Sequence, residues 1–574
     1  MNIFKKFSEE IRLTIHKNQK KLNLNNLNDF KGITVESPPS EFNFDLSCNI
    51  ALVLGQINKL NPKNLAEEIK KVLLTDSKYY KEIQVAGPGF LNIMLKSDSL
   101  KDFIKDVFDN KETYGSSKKN NSYNIEFVSA NPTGPMHVGH CRGAIYGDVL
   151  ASLLKFNGND VTKEYYINDY GNQINMFVES VFLRIKEIKY KEKFLKKEGL
   201  YPGQYIIDIA ENIIKDNPTS DFNNFKKSYN LLKKASLENS MDMIKNDLKK
   251  LGVHHDNFFS ETDIVNDNLV SKTVKKLKEN NYVEEGFLEP PKGEEAKNWK
   301  KSKRLIFKST LFGDDSDRAL EKNDGSWTYF ANDVAYHANK VSRKYDYLIN
   351  ILGADHTGYI KRIISAVSAI SNNKVKLDCK VCQLVKLFKK GKPYKMSKRS
   401  GEFISVNDLL KEVNKDSIRF MMLNRSNDVE LEFDFDKILE KSKDNPVFYV
   451  QYCYARINSI FDMIKIKPDE SIIFEKSEFN LNDYEKKILR KIFDWPKVVE
   501  TAANKYEPHR IPFYLYELST IFHSYWSKGN ENKELKFILN GKINSLTTLS
   551  IIKILYIVIE NGMKILGVSL PRKM

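Results

Sequence analysis

The chain has 574 residues, 41% of them hydrophobic, which is enough material for packed cores in several domains. No apolar run is long enough to span a bilayer, and residues 1–20 are typical of an amphipathic helix rather than a signal peptide, so we expect a cytoplasmic protein. Lysine and arginine number 91 against 75 aspartates and glutamates, and this net charge of +16 either attracts a polyanion or merely keeps a lysine-rich protein soluble.

In chain order, residues 1–115 predict a small domain that mixes helices and strands. Helical spacing occurs at 64–72, a strand pattern occurs at 83–85, and the glycines and proline at 86–89 predict a turn. The segment 110–122, rich in lysine, asparagine and serine, is typical of a linker. We therefore expect a domain boundary at this point.

The next segment predicts a βαβ unit. Residues 124–130 have a strand pattern, the loop at 131–140 contains two glycines and two prolines, and helical spacing of apolar residues then runs to 158. A second strand pattern at 161–167 completes the unit and favours a parallel sheet. Residues 180–280 are typical of a lysine-rich helical insertion. Further strand patterns occur at 304–309, 328–330 and 347–352.

Five cysteines are too few for a disulfide framework: Cys48, Cys141, Cys379, Cys382 and Cys453. Cys379 and Cys382 form a single CxxC, whereas a structural zinc site needs four ligands. Because no second pair exists in the sequence, we interpret these residues as free thiols and expect no zinc.

Two histidines close the first glycine-rich loop, in the sequence His137-Val138-Gly139-His140. A loop that follows a strand and opens a helix is where open α/β sheets bind phosphate groups. Gly139 lets a nucleotide approach the backbone, and both imidazoles can donate hydrogen bonds to phosphoryl oxygens. The alternative is a helix start with two incidental histidines.

A second loop, GKPYKMSKRSGEF at 391–403, concentrates cationic side chains between glycines. Lys395, Met396, Ser397 and Lys398 lie at its centre. Lysine is a compact point charge, so the loop suits a polyphosphate leaving group, although its residue order is not that of a P-loop. The alternative is a solvated basic loop on the surface.

Together these two motifs resemble the class I aminoacyl-tRNA synthetases, whose signatures are HIGH and KMSKS. Longer strings are similar to the arginyl-tRNA synthetase family in particular. They are EFVSANPTGPMHVGHCRGA at 126–144, YYINDYGNQI at 165–174, FGDDSDRALEKNDGSWTYFANDVAYHANK at 312–340, ILGADHTGYIKR at 351–362 and KMSKRSGEFISVNDLL at 395–410. The resemblance reaches both ends of the chain, through VAGPGFLNI at 85–93 and EPHRIPFYLYELSTIFHSYW at 507–526.

The resemblance implies an α/β multidomain fold. We expect a small α+β N-terminal domain that binds the tRNA elbow (1–115), a Rossmann-like parallel-sheet catalytic domain (116–440) and an all-α anticodon-binding domain (441–574). The implied reaction activates L-arginine with ATP to arginyl-adenylate and then transfers arginine to the 3′-terminal adenosine of its tRNA. ATP would enter with Mg²⁺. We expect a monomer whose partners are this tRNA, ATP and arginine, with no membrane association.

The family resemblance also implies an arginine pocket. Glu126 and Asp333 would bind the guanidinium, Tyr329 would line its aromatic face, and Asn131 would bind the α-amino and carboxylate end. A guanidinium carries five donors in a planar fork, so carboxylates and a ring are suitable partners. The alternatives are an acid at a strand end for Glu126 and a core aromatic residue for Tyr329.

The remaining site residues also follow from the resemblance. The catalytic set is His137, His140, Lys395 and Lys398. The ATP-binding set is Pro132, Gly134, His137, Gly139, His140, Gly353, Asp355, His356, Met396 and Ser397. Phe90 and Asn92 would contact the tRNA elbow, where an aromatic ring can stack on an exposed base, although Phe90 could equally belong to a core. His337 is either a site residue or a buried helix histidine.

Three other classes of protein compete with this interpretation. A cysteinyl synthetase would need zinc-ligand cysteines, which the sequence lacks, and a small HxGH nucleotidyltransferase would lack KMSK and the helical C-terminal part. A catalytically silent tRNA-binding relative would have no reason to keep both signatures. Pyrophosphate exchange with arginine and tRNA separates an enzyme from a silent binder.

Overall fold

The computed structural model describes residues 2–27, 30–39, 41–194, 197–287, 302–394, 404–471 and 479–574. The chain divides into two compact units. The sheet unit comprises Lys118–Leu439 and Glu507–His509, and the composite unit comprises Met1–Ser117, Glu440–Tyr506 and Arg510–Met574. Within the described ranges, no helix is long and apolar enough to cross a membrane.

The N-terminal segment of the composite unit is an antiparallel sheet packed with helices. Its elements are α1 Ile3–Lys17, β1 Val35–Glu36, β2 Leu46–Cys48, α2 Ile50–Asn58, α3 Pro62–Asp76, β3 Tyr80–Ala86, β4 Phe90–Leu95 and α4 Ser97–Asn110. The sheet order is β1-β2-β4-β3, and Gly87 and Gly89, both at positive φ, close the β3–β4 hairpin. The predicted helix at 64–72, strand at 83–85 and turn at 86–89 are confirmed.

The sheet unit contains the following elements in chain order. The strands are β5 Ser122–Glu126, β6 Asp160–Ile167, β7 Asn257–Ser260, β8 Val283–Gly286, β9 Arg304–Phe307, β10 Arg318–Ala319, β11 Tyr347–Gly353, β12 Lys376–Cys382, β13 Val385–Lys389, β14 Lys392–Pro393 and β15 Leu431–Asp434. The helices are α5 Val138–Phe156, α6 Asn172–Tyr190, α7 Gln204–Asp216, α8 Phe225–Lys250, α9 Glu261–Asn266, α10 Leu269–Glu279, α11 Tyr329–Ser342, α12 Ile360–Ser371, α13 Val406–Glu412, α14 Lys415–Met422 and α15 Phe435–Leu439.

A five-stranded parallel sheet forms the centre of this unit, in the order β12-β11-β5-β6-β7. Strand β5, helix α5 and strand β6 form the predicted βαβ unit, and β11 pairs with β5 on its other side. Apolar side chains of α10, α11 and α12 pack against one face of the sheet and build a core there. The carboxyl ends of the parallel strands therefore meet at one edge, where open α/β sheets bind ligands.

Two parts of the sheet unit differ from the sequence prediction. The strand predicted at 328–330 is wrong: Thr328 caps a helix by accepting a hydrogen bond from Ala331 N (3.2 Å), and α11 begins at Tyr329. Residues 180–280 are mainly helical as predicted, but they also contain β7, which pairs in parallel with β6. The helices α6, α7 and α8 enclose a separate apolar core of their own.

The C-terminal segment of the composite unit is helical, as the pattern after residue 445 predicts. Its elements are α16 Pro446–Ile464, α17 Asp483–Lys505, α18 Arg510–Glu531, β16 Ile538–Leu539, β17 Lys542–Ile543 and α19 Leu546–Leu566. Asn482 caps α17 through bonds from Tyr484 N and Glu485 N (both 3.0 Å).

The N-terminal and C-terminal segments of the composite unit share one packed interior. Tyr114 donates its hydroxyl hydrogen to Ile492 O (3.1 Å), and its carbonyl accepts from Trp495 Nε1 (2.9 Å). Arg490 and Asp45 form an ion pair at 3.0 Å. Tyr114 is buried, so the segment expected to be a linker is anchored at this residue.

Candidate functional site

A strained turn follows β5 at the carboxyl edge of the sheet. Val128 and Ser129 have φ angles of 71° and 40°, which is unfavourable for residues other than glycine and most of all for a β-branched valine. Ser129 Oγ donates to Glu126 Oε1 (3.2 Å) and accepts from Tyr166 N (3.1 Å), so bonds to both neighbouring strands hold the turn. Strain that is held in this way is typical of functional sites.

The two carboxylates predicted to bind a guanidinium meet beside this turn. Glu126 ends β5, and Asp333 lies one turn into α11, where it accepts a hydrogen bond from the Tyr359 hydroxyl. Burial is the main cause that raises the pKa of Asp333 to about 7, and the charges of Glu126 and Glu261 add to it. Asp333 as a residue is partly exposed, although its carboxylate is buried enough for desolvation to dominate its pKa.

A fully buried lysine contacts the acidic pair formed by Glu126 and Asp333 through Glu126. Lys340 donates to Glu126 Oε2 and to Asn350 Oδ1 (3.0 Å). His337 donates from Nδ1 to Asp333 O (2.8 Å) and accepts at Nε2 from Asn350 Nδ2 (2.9 Å). These partners assign the ring proton to Nδ1. Burial lowers the pKa of His337 to about 3, so the structure supports the interpretation of a neutral, buried helix histidine.

Tyr329 and Asn131 are both exposed residues. Tyr329 is 68% exposed at the start of α11, so it is not a core aromatic residue. Asn131 is exposed; it donates to Gln173 Oε1 (3.2 Å) and accepts from Asn168 Nδ2 (3.1 Å). The segment after β6 therefore positions Asn131, a contact that the residue pattern did not predict.

The loop His137-Val138-Gly139-His140 opens α5. The two imidazole rings stack with centroids 3.8 Å apart. His137 Nδ1 accepts from Gly139 N (3.1 Å), and His140 Nδ1 accepts from His137 N (3.3 Å). A Cβ on Gly139 would lie 2.9 Å from His137 Cε1, so glycine permits this stacked arrangement.

These bonds determine what the histidines can do chemically. Burial lowers the pKa of both rings. For His140, burial and, to a smaller extent, the charge of His137 lower the pKa to about 4. Both imidazoles are therefore neutral at pH 7. Since each Nδ1 accepts a backbone hydrogen, each Nε2 carries the proton and is a hydrogen-bond donor. Neutral donors at a helix start suit phosphoryl oxygens.

The predicted ATP residues after β11 lie near this loop. Asp355 and His356 are exposed, with Asp355 Oδ2 and His356 Nε2 3.3 Å apart. The charge of Asp355 raises the pKa of His140 against the larger effect of burial, which indicates proximity of the two side chains. A Cβ on Gly353 would lie 2.5 Å from Asp355 Oδ1, so a larger residue here would require the exposed Asp355 side chain to turn aside.

Pro132 and Gly134 occupy the loop between the strained turn and the histidines. Pro132 is buried. A Cβ on Gly134 would lie 3.0 Å from ring carbons of Tyr205, a residue of α7 in the helical insertion. A larger residue at 134 would require that ring to shift slightly.

The centre of the second signature lies outside the described residues. This applies to Lys395, Met396, Ser397 and Lys398. The described residues after it bind the histidine loop: Val138 N donates to Ile404 O (2.9 Å) and Val406 N donates to Met136 O (3.1 Å). The chain therefore brings the end of the second signature segment against the first.

The residues expected to contact the tRNA elbow lie on β4. Phe90 is 40% exposed at the start of the strand, which argues against the core interpretation. Asn92 is 2% exposed and pairs in register with Ser47 and Gln84. Phe90 thus presents a ring to solvent, whereas Asn92 lies beneath the surface on the same strand.

A cavity of about 380 Å³ opens between α16 and α18 in the composite unit. Its lining is aromatic and basic and includes Lys441, Lys443, Phe448, Tyr449, Tyr452, Arg456 and His523. The Arg456 guanidinium lies 4.1 Å from the Tyr452 ring centroid and 4.9 Å from that of Trp526. Stacked rings beside cations are typical of surfaces that bind unpaired nucleotides.

The single CxxC has a simple structural explanation. Cys379 and Cys382 are both on β12, and residues three apart on a strand project from opposite faces. Cys379 packs with the α11 and α12 core, and the Arg142 charge acts on Cys382. These two thiols therefore cannot bind one metal ion together. Within the described residues, no group of three or more His, Cys, Asp or Glu side chains is arranged to hold a metal.

Sequence reasoning missed three residues that hold Glu126, Asp333 and their neighbours in place through hydrogen bonds. Lys340, Asn350 and Tyr359 are distant in sequence from Glu126, and their role depends on α11 and β11 packing side by side. A weak signal existed: Asp333, Tyr336, His337 and Lys340 recur at helical spacing, which places their polar side chains on one face.

Family models match the whole described architecture. The model described as "Arginyl tRNA synthetase N terminal domain" matches residues 5–95, "tRNA synthetases class I (R), catalytic domain" matches 103–463, and "DALR anticodon binding domain" matches 450–574.

Complete relatives and solved structures agree with these matches. The chain is 52% identical to "Arginine--tRNA ligase" of Pelagibacter ubique and 43% identical to that of Bartonella bacilliformis, with each pair covering 100% of both chains. Its fold is similar to the Thermus thermophilus arginyl-tRNA synthetase, with a TM-score of 0.70 at 18% identity over 99% of this chain. The Plasmodium falciparum enzyme gives a TM-score of 0.70 at 17% identity and the same coverage.

Proposed function

Because this chain belongs to the arginyl-tRNA synthetase family, we propose that it is an arginine–tRNA ligase whose two half-reactions take place at the carboxyl edge of β5, β6 and β11. In the first, an arginine carboxylate oxygen attacks the α-phosphorus of ATP, and the bond to pyrophosphate breaks. In the second, a hydroxyl of the 3′-terminal adenosine attacks the arginyl carbonyl, and AMP leaves.

The arginine subsite in this proposal is the acidic pair formed by Glu126 and Asp333. Asp333 accepts guanidinium hydrogen bonds, and Glu126, anchored by Lys340, contributes the second negative charge. Tyr329 provides a ring for the planar group, and Asn131 binds the α-amino and carboxylate end. Lysine lacks the planar fork and would leave a carboxylate oxygen unpaired, so we expect discrimination of about four orders of magnitude without editing.

The ATP subsite in this proposal comprises the histidine loop and the residues after β11. His137 and His140 donate from Nε2 to phosphate oxygens as charge develops on them, while Gly139 and Gly134 allow close approach. Gly353, Asp355 and His356 line the nucleotide side, and Pro132 shapes the loop. Lys395 and Lys398 stabilise the leaving pyrophosphate, with Met396 and Ser397 beside the nucleotide. ATP enters as its Mg²⁺ complex.

For tRNA, the proposal assigns separate contacts within the composite unit. Phe90 stacks on an exposed base at the elbow, Asn92 supports that strand from beneath, and the aromatic and basic cavity at α16 and α18 binds bases of the anticodon loop. We further propose a cytoplasmic monomer with domains at 1–115, 116–440 and 441–574. If binding neutralises about six or more phosphates, tRNA affinity falls by orders of magnitude between low and physiological salt.

The observation that carries the arginine assignment is Asp333, a carboxylate with a raised pKa beside Glu126. The Lys340 ammonium donates its hydrogen bonds to Glu126 and Asn350 rather than to Asp333. The test is aminoacylation of total tRNA with each of the twenty amino acids. Arginine alone should be charged; comparable charging with lysine or another amino acid would contradict the proposal.

A second test concerns the order of binding. Most members of this family form the adenylate only with tRNA bound, so we propose that tRNA increases a competent state that is rarely populated in the free enzyme. Arginine-dependent pyrophosphate exchange should therefore require tRNA. Strong exchange without tRNA would contradict this part of the proposal and leave the arginine assignment intact.

A further inference from the structure

A buried carboxylate connects the helical insertion to both signature segments. Asp247 is in the last turn of α8, and it is 2% exposed. Its Oδ2 accepts a hydrogen bond from Met136 N (3.1 Å), the residue before the histidine loop. Its Oδ1 accepts from Asn407 Nδ2 (3.3 Å), a residue in the first turn of α13. Neither bond lies within the insertion itself.

This position is unfavourable for an acidic residue. A helix carries partial negative charge at its carboxyl end, so a carboxylate in the last turn is repelled. Burial raises the pKa of Asp247 and so adds to the cost of the charged form. Among the described residues, no lysine or arginine makes an ion pair with it, and the hydrogen bond from Met136, the Lys250 charge and the hydrogen bond from Asn407 offset the effect of burial only in part. A local rule that is broken without a local gain is typical of functional positions.

The segment around Asn407 is the described end of the second signature. Val138 N bonds to Ile404 O, Val406 N bonds to Met136 O, and His137 pairs with Ser405 in an antiparallel bridge. Asn407 Oδ1 in turn accepts from Lys250 Nζ (2.5 Å), which is also on α8. The carboxyl end of α8 therefore contacts both segments where they meet.

We propose that Asp247 is a positioning residue for arginine activation, and that fixing the two signature segments against each other is a function of the helical insertion. Asp247 touches neither substrate in this proposal. It fixes Met136 and hence the orientation of His137 and His140, and it fixes Asn407 and hence the segment that follows the lysines. The inference depends on the proposed assignment of His137 and His140 to ATP phosphates.

The first experiment measures arginine-dependent pyrophosphate exchange, with tRNA present, on the full chain. Asp247→Ala removes both acceptors and should lower kcat about 100-fold, since a misplacement of about 1 Å at the reacting groups can cost that much in turnover. Asp247→Asn keeps an acceptor for Met136 N but turns a donor toward Asn407, and should lower kcat about 10-fold. KM for arginine should stay within about threefold of wild type in both variants.

A swap of the two side chains tests the contact itself. Asn407→Asp alone places two carboxylates face to face and should lower kcat by about 10-fold. In the double variant Asp247→Asn/Asn407→Asp, the new amide donates to the new carboxylate, Lys250 keeps an acceptor, and Met136 N keeps an acceptor. We expect kcat to return to within about threefold of wild type, which is the signature of direct coupling.

Controls separate positioning from folding. Asp242→Asn changes an exposed acid on the same helix and should leave kcat, KM and Tm at wild-type values. All assays are run well below the Tm of each variant, so a loss of stability alone leaves kcat unchanged.

The outcomes separate this inference from the site assignment. Normal kcat in Asp247→Ala, or a swap that fails to restore kcat in a folded protein, would overturn the inference. His140→Ala is the independent arm: it should lower kcat by about two to three orders of magnitude, and wild-type turnover in that variant would overturn the histidine assignment instead.

Discussion

Two carboxylates on the same face of the parallel sheet have opposite surroundings. Glu164 on β6 accepts two hydrogen bonds from Arg343, one from Tyr336 (2.7 Å) and one from Asn257 (2.8 Å). Burial alone would raise its pKa, but Arg343 and the charge of Lys340 outweigh burial and lower it to about 2. Asp333, on the neighbouring helix, accepts a bond from Tyr359, and its pKa is raised to about 7.

The difference separates a structural charge from a binding charge. Glu164 is fully enclosed and its oxygens are satisfied from within the protein, so the ion pair holds β6 against α11. Asp333 as a residue retains some exposure, and Lys340, whose charge acts on it, donates its hydrogen bond to Glu126. A buried carboxylate without a cationic partner is unfavourable, and it is typical of sites where a cationic ligand binds and pairs with it. Substitutions at each carboxylate should therefore have different consequences.

The largest effect is expected from Asp333→Asn. The amide keeps the shape but loses the charge that a guanidinium needs, and removing one partner of a buried charged contact costs about 2–5 kcal/mol. We therefore expect kcat/KM for arginine, from pyrophosphate exchange, to fall about 10³-fold. Tm should be equal to or above that of wild type, because the free enzyme no longer contains an uncompensated carboxylate. A loss below about threefold would contradict the assignment.

Glu164→Gln should show the reverse pattern. Arg343 loses its charged partner, and breaking a buried pair costs about 3–5 kcal/mol, reduced here to about 2–4 kcal/mol because the Arg343 side chain is 26% exposed. The free energy of unfolding in urea should fall by that amount, while KM for arginine changes little. The matched control is Glu430→Gln, which breaks the exposed pair with Lys386 and should leave unfolding unchanged. Equal effects in both variants would contradict the contrast.

Tyr359→Phe tests whether the hydrogen bond to Asp333 contributes to arginine binding. It removes the hydroxyl that donates to Asp333 and leaves the ring in place. KM for arginine should rise about 10-fold, since a hydrogen bond to a charged group contributes about 1.5–3 kcal/mol. The pKa of Asp333 should also move upward, because the donor stabilises the ionised form. An unchanged pH profile would mean that this hydroxyl does not govern the carboxylate.

The smallest and most graded effect is the pH dependence of wild type. Asp333 must be ionised to bind the guanidinium, so kcat/KM for arginine should fall about 10-fold per pH unit below pH 7 and level off above it. Asp333→Asn should flatten this profile. The pKa of His140 is lowered to about 4, mainly by burial, so it does not titrate in this window.

The shifted pKa values of Glu164 and Asp333 make the free energy of unfolding change with pH in opposite directions. The pKa of Glu164 is depressed from 4.5 to about 2, so its contribution is present above pH 4.5 and is lost as pH falls from 4.5 toward 2. The pKa of Asp333 is raised from 3.8 to about 7, so the free protein loses stability as pH rises through that interval. Calorimetry at low and neutral pH, on wild type and the two variants, measures both trends.

Local pattern predicted the elements that local interactions stabilise. The βαβ unit, the helix after the histidine loop, and the strand at 83–85 with its turn at 86–89 are all confirmed, because hydrophobic period and glycine positions act over a few residues. The strand predicted at 328–330 failed because the capping hydroxyl of Thr328 outweighs strand propensity. Strand β7 was missed because four residues carry too little periodic signal.

The candidate site was predictable only where chemistry is concentrated in short strings. The histidine loop and the lysine loop were found by their residue types, and Glu126 and Asp333 came from resemblance to a family. Lys340, Asn350 and Asp247 escaped prediction because their partners are far away in sequence. Their function depends on which side chains a given packing brings together.

The sequence by itself determined the parallel-sheet fold, the two signatures and the membership of a family, because these depend on periodicity and on residue identities in fixed order. Only the tertiary structure decided the protonation and partners of the site. It made His140 a neutral donor by burying it, left Asp333 with a raised pKa beside an already engaged lysine, and placed Asp247 against both signature segments. Burial and long-range contacts set these properties, and neither is encoded in any short stretch of chain.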